Sequence, residues 1–279
     1  MQARRIAEAD TTQLIREISN ETTLWLGSLP CSGDMQTVIL CGGTGIRAMP
    51  STLEVPKPLL LVGDRPVLAH VMEIYADQGF TDFILAAGYK AELVWKFAQT
   101  LPASWQVDVV DTGEQTKTGG RVMKVRERLG AEFFLTYSDG LGDVDLHHLL
   151  DFHRAHGGAA TVTTVSLPSP YGTFDLDEKG RVSKFREKPK LHDHPINAGY
   201  FVMASRVFDR WDGEDLEREI LPSLANAGDL FAYRHEGFWK SMDTQKDAQE
   251  LTALCAGRRG PWVRLTGTGT NTDQQWDQR

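Results

Sequence analysis

The chain has 279 residues, of which 41% are hydrophobic and 24% charged, and its formal net charge is −8. This is globular composition with enough length for a full core, and the negative charge argues against a nucleic-acid-binding protein. No apolar run approaches the ~20 residues that cross a bilayer, so no membrane association is expected. Cys31, Cys41 and Cys255 form no metal or disulfide pattern, which predicts reduced thiols and a cytoplasmic location.

Predicted strands and helices alternate from Met35 onward. The predicted strands are 37–41, 82–87, 105–110, 132–137, 161–167, 173–176, 182–185, 200–203 and 230–233. The predicted helices are 66–78, 92–99, 144–156, 216–227 and 243–254. Strands separated by helices predict an α/β fold with a mostly parallel sheet and helices on both faces.

The two ends of the chain differ from the middle in composition. Residues 1–34 are polar and end in a Ser-Gly-Asp linker, so we expect a dispensable N-terminal extension. Residues 35–262 are predicted to form the folded domain. Residues 263–279 are rich in Gly, Thr, Asn, Asp and Gln, which predicts a disordered tail.

A glycine-rich turn follows the first predicted strand. The run Gly42-Gly-Thr-Gly45 is followed by Arg47, and further on Lys57 stands between two prolines. Glycines let backbone N–H groups approach an anion closely, and the arginine fork fits phosphate oxygens. The prolines restrict the backbone around the lysine. The pattern predicts a polyphosphate site suited to a nucleoside triphosphate.

Two better-known phosphate motifs do not fit this segment. A dinucleotide-binding G-x-G-x-x-G needs a third glycine where this chain has Met49. A P-loop needs the tripeptide Gly-Lys-Ser/Thr, which does not occur in the sequence. An NAD-dependent oxidoreductase is therefore disfavoured.

Six further segments carry a family resemblance. In chain order they are VDTG at 110–113, TKTGGR at 116–121, TYSDG at 136–140, FREKP at 185–189, INAGYF at 196–201 and GFWKSMDT at 237–244. Together with the glycine-rich turn they resemble the sugar-phosphate nucleotidyltransferases. Within that family the closer resemblance is to the cytidylyltransferases that act on glucose 1-phosphate.

The resemblance implies a fold, a reaction and partners. The fold is a Rossmann-like mixed sheet, the nucleotide-diphospho-sugar transferase fold. The expected reaction is Mg²⁺-dependent attack of a sugar 1-phosphate on the α-phosphorus of an NTP, with CTP and glucose 1-phosphate as the expected pair. Pyrophosphate leaves, and a nucleotide-diphosphate sugar forms. A homo-oligomer is expected.

The resemblance also assigns roles to matching positions. Arg47 and Lys57 are expected to act catalytically on the triphosphate. The remaining expected nucleotide contacts are Leu40, Gly42, Gly43 and Gly45. The expected sugar-phosphate contacts are Gly120, Arg121, Glu187, Lys188 and Asn197, and the expected Mg²⁺ ligands are Asp139 and Asp243.

Local sequence alone leaves some of these roles open. Asp139 ends a predicted strand, where open α/β sheets bind ligands. Asp243 precedes a predicted helix and could equally be its N-cap. Lys188 could be part of an exposed charged turn.

The chain also departs from the family pattern. Ile46 replaces the family's threonine, and the segment from Ala91 to Trp105 is shorter than usual. The same reaction with dTTP, UTP or GTP or with another sugar, and a non-catalytic nucleotide-sugar-binding homologue, therefore remain open alternatives.

Overall fold

The computed structural model describes residues 35–45, 52, 54–255 and 259–263. Several sequence predictions lie outside these residues. They concern the extension 1–34, the turn residues Ile46, Arg47 and Met49, and the tail from residue 264 onward.

A seven-stranded sheet forms the centre of the fold. In chain order the strands are β1 (Thr37–Cys41), β2 (Leu61–Val62), β3 (Arg65–Pro66), β4 (Asp82–Ala87), β5 (Gln106–Asp111), β6 (Glu132–Tyr137), β7 (Gly140–Gly142), β8 (Ala160–Val165), β9 (Thr173–Leu176), β10 (Val182–Arg186), β11 (Ile196–Ala204), β12 (Leu230–His235) and β13 (Trp239–Ser241). The strand order in the main sheet is β12-β8-β11-β6-β1-β4-β5. Within this sheet β11 is antiparallel to both of its neighbours, and the other pairings are parallel.

The remaining strands form three short two-stranded ladders: β2 with β3, β7 with β13, and β9 with β10. All three are antiparallel.

Helices cover both faces of the sheet. They are α1 (Val67–Ala76), α2 (Ala91–Ala98), α3 (Thr118–Val125), α4 (Leu146–His156), α5 (Leu221–Asn226) and α6 (Gln245–Cys255), with a π-helical turn at Leu216–Ile220 and short 3-10 turns at Lys57–Leu59, Arg126–Arg128 and Ser205–Arg210. One apolar cluster joins α1, α2, α4 and α6 to one face. A second joins α3, the π-helical turn and α5 to the other.

The alternation of buried side chains along β1 explains the two clusters. Ile39 belongs to the first cluster, whereas Val38 and Leu40 belong to the second. Successive side chains of a strand point to opposite faces, so a strand covered on both sides reads as a continuous apolar run. The predicted mostly parallel sheet with helices on both faces is confirmed.

Several short elements were not predicted from the sequence, and three of them, helix α3 and strands β7 and β13, contribute to the cleft or position its residues. Helix α3 contains Gly119-Gly120, and glycine has poor helix propensity. Strands β7 and β13 are three residues long, too short for a periodic pattern. The predicted helix 216–227 divides into the π-helical turn and α5, which has Pro222 in its first turn.

Within the described part of the chain, no helix combines the length and the hydrophobicity needed to cross a membrane.

Candidate active site

A cleft of about 920 Å³ opens at the carboxyl ends of β1 and β6. Its walls come from the glycine-rich turn, the Pro-Lys-Pro segment, the loop after β5, the start of β11 and the end of β13. A volume near this size suits a small-molecule ligand. The carboxyl edge of a doubly wound sheet is where such folds bind ligands.

Lys57, Asp139 and Asp243 meet on the wall of this cleft. The Lys57 ammonium forms ion pairs with both carboxylates, at 3.0 Å to Asp243 Oδ1 and in closer contact with Asp139 Oδ2. The lysine side chain is 12% exposed, and the two carboxylates are 22% and 29% exposed. The two predicted metal ligands and the predicted catalytic lysine thus form one cluster.

The ladder between β7 and β13 brings the two aspartates together. Trp239 pairs with Gly142 and Ser241 with Gly140. The ladder continues one step further, because the Met242 N–H donates to the Asp139 carbonyl at 2.8 Å. Residues that leave the same end of an antiparallel ladder are neighbours. The short ladder therefore sets the spacing between the carboxylates of Asp139 and Asp243.

Thr244, and not Asp243, caps the N-terminus of α6. The Thr244 hydroxyl accepts the N–H of Asp247, and the Asp247 carboxylate accepts the N–H of Thr244 at 2.9 Å. This reciprocal pair is a capping box centred on Thr244. The side chain of Asp243 is engaged by Lys57 and, at 3.2 Å, by the Ser241 hydroxyl.

The donor set of this cluster fits Mg²⁺. Two carboxylates converge on a single cationic group, and Mg²⁺ is commonly held by one or two protein carboxylates together with substrate phosphates. Among the residues that the structure describes, no group of three or more His, Cys, Asp or Glu side chains forms a metal cage. A site of this kind would be completed by phosphate oxygens and water.

The glycine-rich turn packs directly on Lys57. Gly45 has a positive φ of 64°, and a Cβ built there would lie 2.8 Å from Lys57 Cβ. Only glycine combines that backbone conformation with that approach. The Thr52 hydroxyl donates to the Gly45 carbonyl at 3.2 Å, which fixes the end of the turn.

Arg121 lies beneath the same turn, 4% exposed, with its guanidinium bonded to backbone. The acceptors are the carbonyl oxygens of Gly42, Ala87, Gly113 and Glu114, at 2.9–3.1 Å, and the hydroxyl of Thr112, at 2.6 Å. These groups follow or end β1, β4 and β5, three neighbouring strands. Burial lowers the pKa of Arg121. The side chain therefore ties three strand ends together beside the cleft.

The opposite wall carries a polar network around Tyr137. Its hydroxyl donates to Glu217 at 2.5 Å, and the Asn197 amide donates to that hydroxyl at 3.3 Å. The Thr118 hydroxyl donates to the second Glu217 oxygen at 2.7 Å. Burial, together with the neighbouring Glu217 carboxylate, raises the pKa of Tyr137, so this hydroxyl keeps its proton at neutral pH.

Most of the predicted site residues that the structure describes line the cleft. They are Leu40, Gly42, Gly43, Gly45, Lys57, Arg121, Asp139, Asn197 and Asp243. Gly120 is not part of the lining; it lies in α3, where its N–H donates to the Glu214 carbonyl at 2.9 Å. Glu187 and Lys188 are exposed after β10, outside the lining, and Lys188 has a positive φ of 44°. Their proposed role toward the sugar phosphate stays a prediction.

Sequence reasoning missed Glu217 and the lining residues Glu114 to Lys117. Glu217 falls in a stretch predicted as helix, where a glutamate is an ordinary surface residue. Its placement depends on the packing of the π-helical turn beside α3. The loop after β5 has no periodic pattern that could have marked it.

Known proteins are similar to this chain in sequence. The family described as nucleotidyl transferase matches residues 36–252. A probable glucose-1-phosphate cytidylyltransferase of Bacillus subtilis (strain 168) is 39% identical over 79% of this chain and 96% of the relative. Glucose-1-phosphate cytidylyltransferase of Salmonella typhi is 36% identical over 82% of this chain and 98% of the relative.

A solved structure supports the fold independently. HddC from Yersinia pseudotuberculosis superposes with a TM-score of 0.63 at 22% identity, over 78% of this chain and 98% of that one. The family match over residues 36–252, the two relatives and the clustering of Lys57, Asp139 and Asp243 lead to one conclusion: the chain belongs to the nucleotidyl transferase family.

Proposed function

We propose that the protein transfers the cytidylyl group of CTP to glucose 1-phosphate, with release of pyrophosphate. The observation that carries the proposal is the cluster of Lys57, Asp139 and Asp243 on the wall of a cleft large enough for both substrates. The choice of CTP and glucose follows the names of the two relatives described above.

The reaction brings two anions together, so the protein mainly has to neutralise charge and align the reacting groups. An oxygen of the sugar phosphate attacks the α-phosphorus, and the bond between the α- and β-phosphates breaks. Lys57 is proposed to donate from its ammonium group to the α-phosphate as the charge there grows. Arg47 is proposed to hold the β- and γ-phosphates and to assist departure of pyrophosphate.

Asp139 and Asp243 would hold Mg²⁺. When bound, that ion supplies charge neutralisation across the reacting phosphates. Both carboxylates already face one cation, the Lys57 ammonium, so they point at a common position for positive charge. The Thr244 capping box and the β7–β13 ladder fix the backbone that carries the Asp139 and Asp243 side chains.

The glycine-rich turn is proposed to hold the phosphates, with Arg121 fixing the turn from beneath through its bond to the Gly42 carbonyl. The turn residues Gly42, Gly43 and Gly45 line the cleft and leave room for backbone N–H groups to approach phosphate oxygens. Asn197 lies on the opposite wall, where the sugar 1-phosphate is proposed to bind, with Glu187 and Lys188 beyond its rim.

An activity screen that combines several NTPs with several sugar 1-phosphates tests this proposal. Pyrophosphate release is measured for CTP, UTP, dTTP, GTP and ATP against a panel of hexose 1-phosphates, with Mg²⁺ present. We expect CTP with glucose 1-phosphate to give the highest kcat/KM. The variant Asp139→Asn should abolish release, whereas Asp108→Asn, which alters an exposed ion pair with Arg128, should leave it unchanged.

The outcomes separate the alternatives. A tenfold higher kcat/KM for another base or sugar would replace the substrate assignment while the reaction class stands. Absence of pyrophosphate release for every pair, together with nucleotide binding by calorimetry, would favour the non-catalytic homologue.

A further inference from the structure

Strand β7 carries buried backbone groups that its partner strand cannot all satisfy. It lies outside the seven-stranded sheet, and among the described strands it pairs with β13 alone. All three of its residues are buried. Each residue of a strand has an N–H and a C=O group, and a buried group of this kind needs a partner because water cannot reach it. The side of β7 that faces away from β13 therefore has to be bonded by something other than a strand.

The pairing pattern shows which groups of β7 point away from β13. Asp139 accepts the N–H of the residue after β13 at 2.8 Å, and Asp143 donates to the carbonyl of the residue before β13 at 3.2 Å. In an antiparallel ladder, pairs that exchange hydrogen bonds alternate with pairs that exchange none. Gly140 and Gly142 therefore belong to the pairs that exchange none. Their N–H and C=O groups point to the side opposite β13.

Tyr200 of β11 reaches this free side of β7. Its hydroxyl donates to the Gly140 carbonyl at 2.9 Å and faces the backbone of Gly142. The ring is fully buried. Burial raises the pKa of Tyr200 well above its ordinary value, and the nearby Asp139 and Asp143 carboxylates act in the same direction. The hydroxyl therefore keeps its proton and stays a hydrogen-bond donor to β7.

The bond from Tyr200 lies one residue away from Asp139. The Asp139 carbonyl is bonded to Met242 on one side, and the next carbonyl, that of Gly140, is bonded to Tyr200 on the other. The two peptide groups that follow the Asp139 Cα are thus held in opposite directions. Glycine has the freest backbone of all residues, so the bond to Tyr200 supplies a restraint that Gly140 itself does not.

We propose that Tyr200 is a positioning residue for the metal site, which keeps the Asp139 carboxylate where it can share one cation with Asp243. This role rests on the proposed function. Tyr200 is not part of the cleft lining, so it acts through Asp139 and touches neither substrate. Partners that orient the ligands of a metal commonly change metal affinity or activity 10- to 100-fold when they are removed.

Tyr75 of α1 provides a matched control. The rings of Tyr75 and Tyr200 are both fully buried and stack on each other, with centroids 6.0 Å apart and an angle of 15° between their planes. Among the residues that the structure describes, the Tyr75 hydroxyl has no bond to β7. Phenylalanine at either position removes one buried oxygen from the same stack, and only Tyr200→Phe removes the bond to Gly140.

Steady-state kinetics with Mg²⁺ varied test the role of Tyr200. In Tyr200→Phe we expect kcat to fall at least about tenfold and the Mg²⁺ concentration at half-maximal rate to rise about tenfold. The KM for the sugar 1-phosphate should change less than about twofold, because the sugar-phosphate contacts are untouched. Tyr75→Phe should match the wild type in all three quantities. Thermal melting checks that both variants are folded.

Calorimetry separates the metal site from the rest of the nucleotide site without turnover. CTP is titrated into each protein without sugar phosphate, once with Mg²⁺ and once with EDTA. We expect Tyr200→Phe to raise the dissociation constant about tenfold with Mg²⁺ and to leave it unchanged with EDTA. An equal change under both conditions would overturn the proposal, because the loss would then lie outside the metal site.

Hydrogen exchange reports on the backbone of Asp139 directly. The Met242 amide donates to the Asp139 carbonyl, so its exchange should be about tenfold faster in Tyr200→Phe than in the wild type and unchanged in Tyr75→Phe. Unchanged exchange in Tyr200→Phe, or equal losses of activity in the two tyrosine variants, would overturn the proposal. If the wild-type chain neither binds CTP nor releases pyrophosphate with any substrate pair, the proposed function fails, while exchange still decides whether Tyr200 holds the Asp139 segment.

Discussion

Lys57 is bonded to two aspartates that lie 82 and 186 residues further along the chain. Its side chain therefore links the Pro-Lys-Pro segment to the residues that follow β6 and β13. Its nearly buried position means that its charge is felt in a partly dry environment, where electrostatic contacts are stronger than in water.

Kinetics should distinguish Lys57 from Lys188. We expect Lys57→Met to lower kcat about 100- to 1,000-fold, because the lost contact strengthens as charge develops. Lys188→Met should mainly raise the KM for the sugar phosphate, because the contact proposed for Lys188 would serve binding of that substrate. Steady-state kinetics with both substrates varied gives the measurement, with the exposed Lys96→Met as control. If Lys57→Met instead raised the KM and Lys188→Met lowered kcat, the roles assigned to the two lysines would have to be exchanged.

Arg121 offers a second test at this scale. Its five contacts depend on the shape of the guanidinium, so Arg121→Lys should lower the free energy of unfolding by about 2–4 kcal/mol. The exposed Arg128→Lys should change it by less than about 0.5 kcal/mol. Urea denaturation measures both. Unchanged stability with a raised KM for the sugar phosphate would instead support direct substrate binding by Arg121.

Site residues could be predicted where a motif specifies their chemistry. Lys57, Asp139 and Asp243 carry charges that the proposed reaction needs, and the three side chains lie together in the structure. Glu217 could not be found in this way, because its place in the cleft arises from packing between α3 and the π-helical turn. The backbone partners of Arg121 could not be predicted either, because every residue has a carbonyl group and the sequence does not mark which ones accept a hydrogen bond.

At the scale of elements, strand β11 is irregular where it meets the cleft. Its register against β8 shifts between Asn197 and Phe201, and Gly199 within the shift has a φ of 84°. The Asn197 side chain accepts the Gly199 N–H at 2.7 Å. Such bulges redirect side chains next to functional sites, and here Asn197 turns toward Tyr137.

Substitution of Gly199 tests this element. A Cβ at this position would lie 2.5 Å from the Tyr137 ring, so Gly199→Ala should displace Tyr137 and weaken its bonds to Glu217 and Asn197. We expect a loss of stability beyond the ~1 kcal/mol of an unfavourable backbone, together with a raised KM for the sugar phosphate. Gly228→Ala is the control, because Gly228 has a φ of 72° and open space around it. Equal effects in the two variants would show that the Tyr137 contact is unimportant.

Strands and helices with clear periodicity could be predicted from the sequence. β4, β6 and β9 begin and end where the pattern indicates. The β7–β13 ladder could not be predicted, because each strand has three residues and pairs only through long-range contacts. That short ladder nevertheless brings the two aspartates together.

At the scale of the whole molecule, two histidines are buried in different parts of the core. Burial lowers the pKa of His70 and of His153 from 6.5 to about 4, and the neighbouring His156 adds to the shift of His153. Both rings are therefore neutral in the folded protein, and the unfolded chain binds protons first as pH falls. Their contribution to the free energy of unfolding is complete above about pH 6.5 and is lost progressively as the pH falls from 6.5 to about 4.

Acid should therefore destabilise the fold through these rings. Each can contribute a loss of about 3 kcal/mol by pH 4. Glu73 acts in the opposite direction, since burial raises its pKa. Melting temperatures between pH 7 and pH 4 should fall less steeply for His153→Gln than for the wild type. His148→Gln, at a ring that is 74% exposed, should follow the wild-type curve. Parallel curves for all three proteins would show that His153 has no part in the acid response.

The Lys57 bridge has a consequence for the order in which reactants enter. In the protein alone, both carboxylates are already paired with the one Lys57 ammonium group, so a free divalent ion has to compete with Lys57 for them. A triphosphate that arrives with its ion offers new anionic partners to the displaced lysine, and the exchange becomes favourable. We expect Lys57→Met to bind Mg²⁺ alone more tightly than the wild type in titration calorimetry, despite its loss of turnover. The metal would then enter the site together with the nucleotide rather than ahead of it.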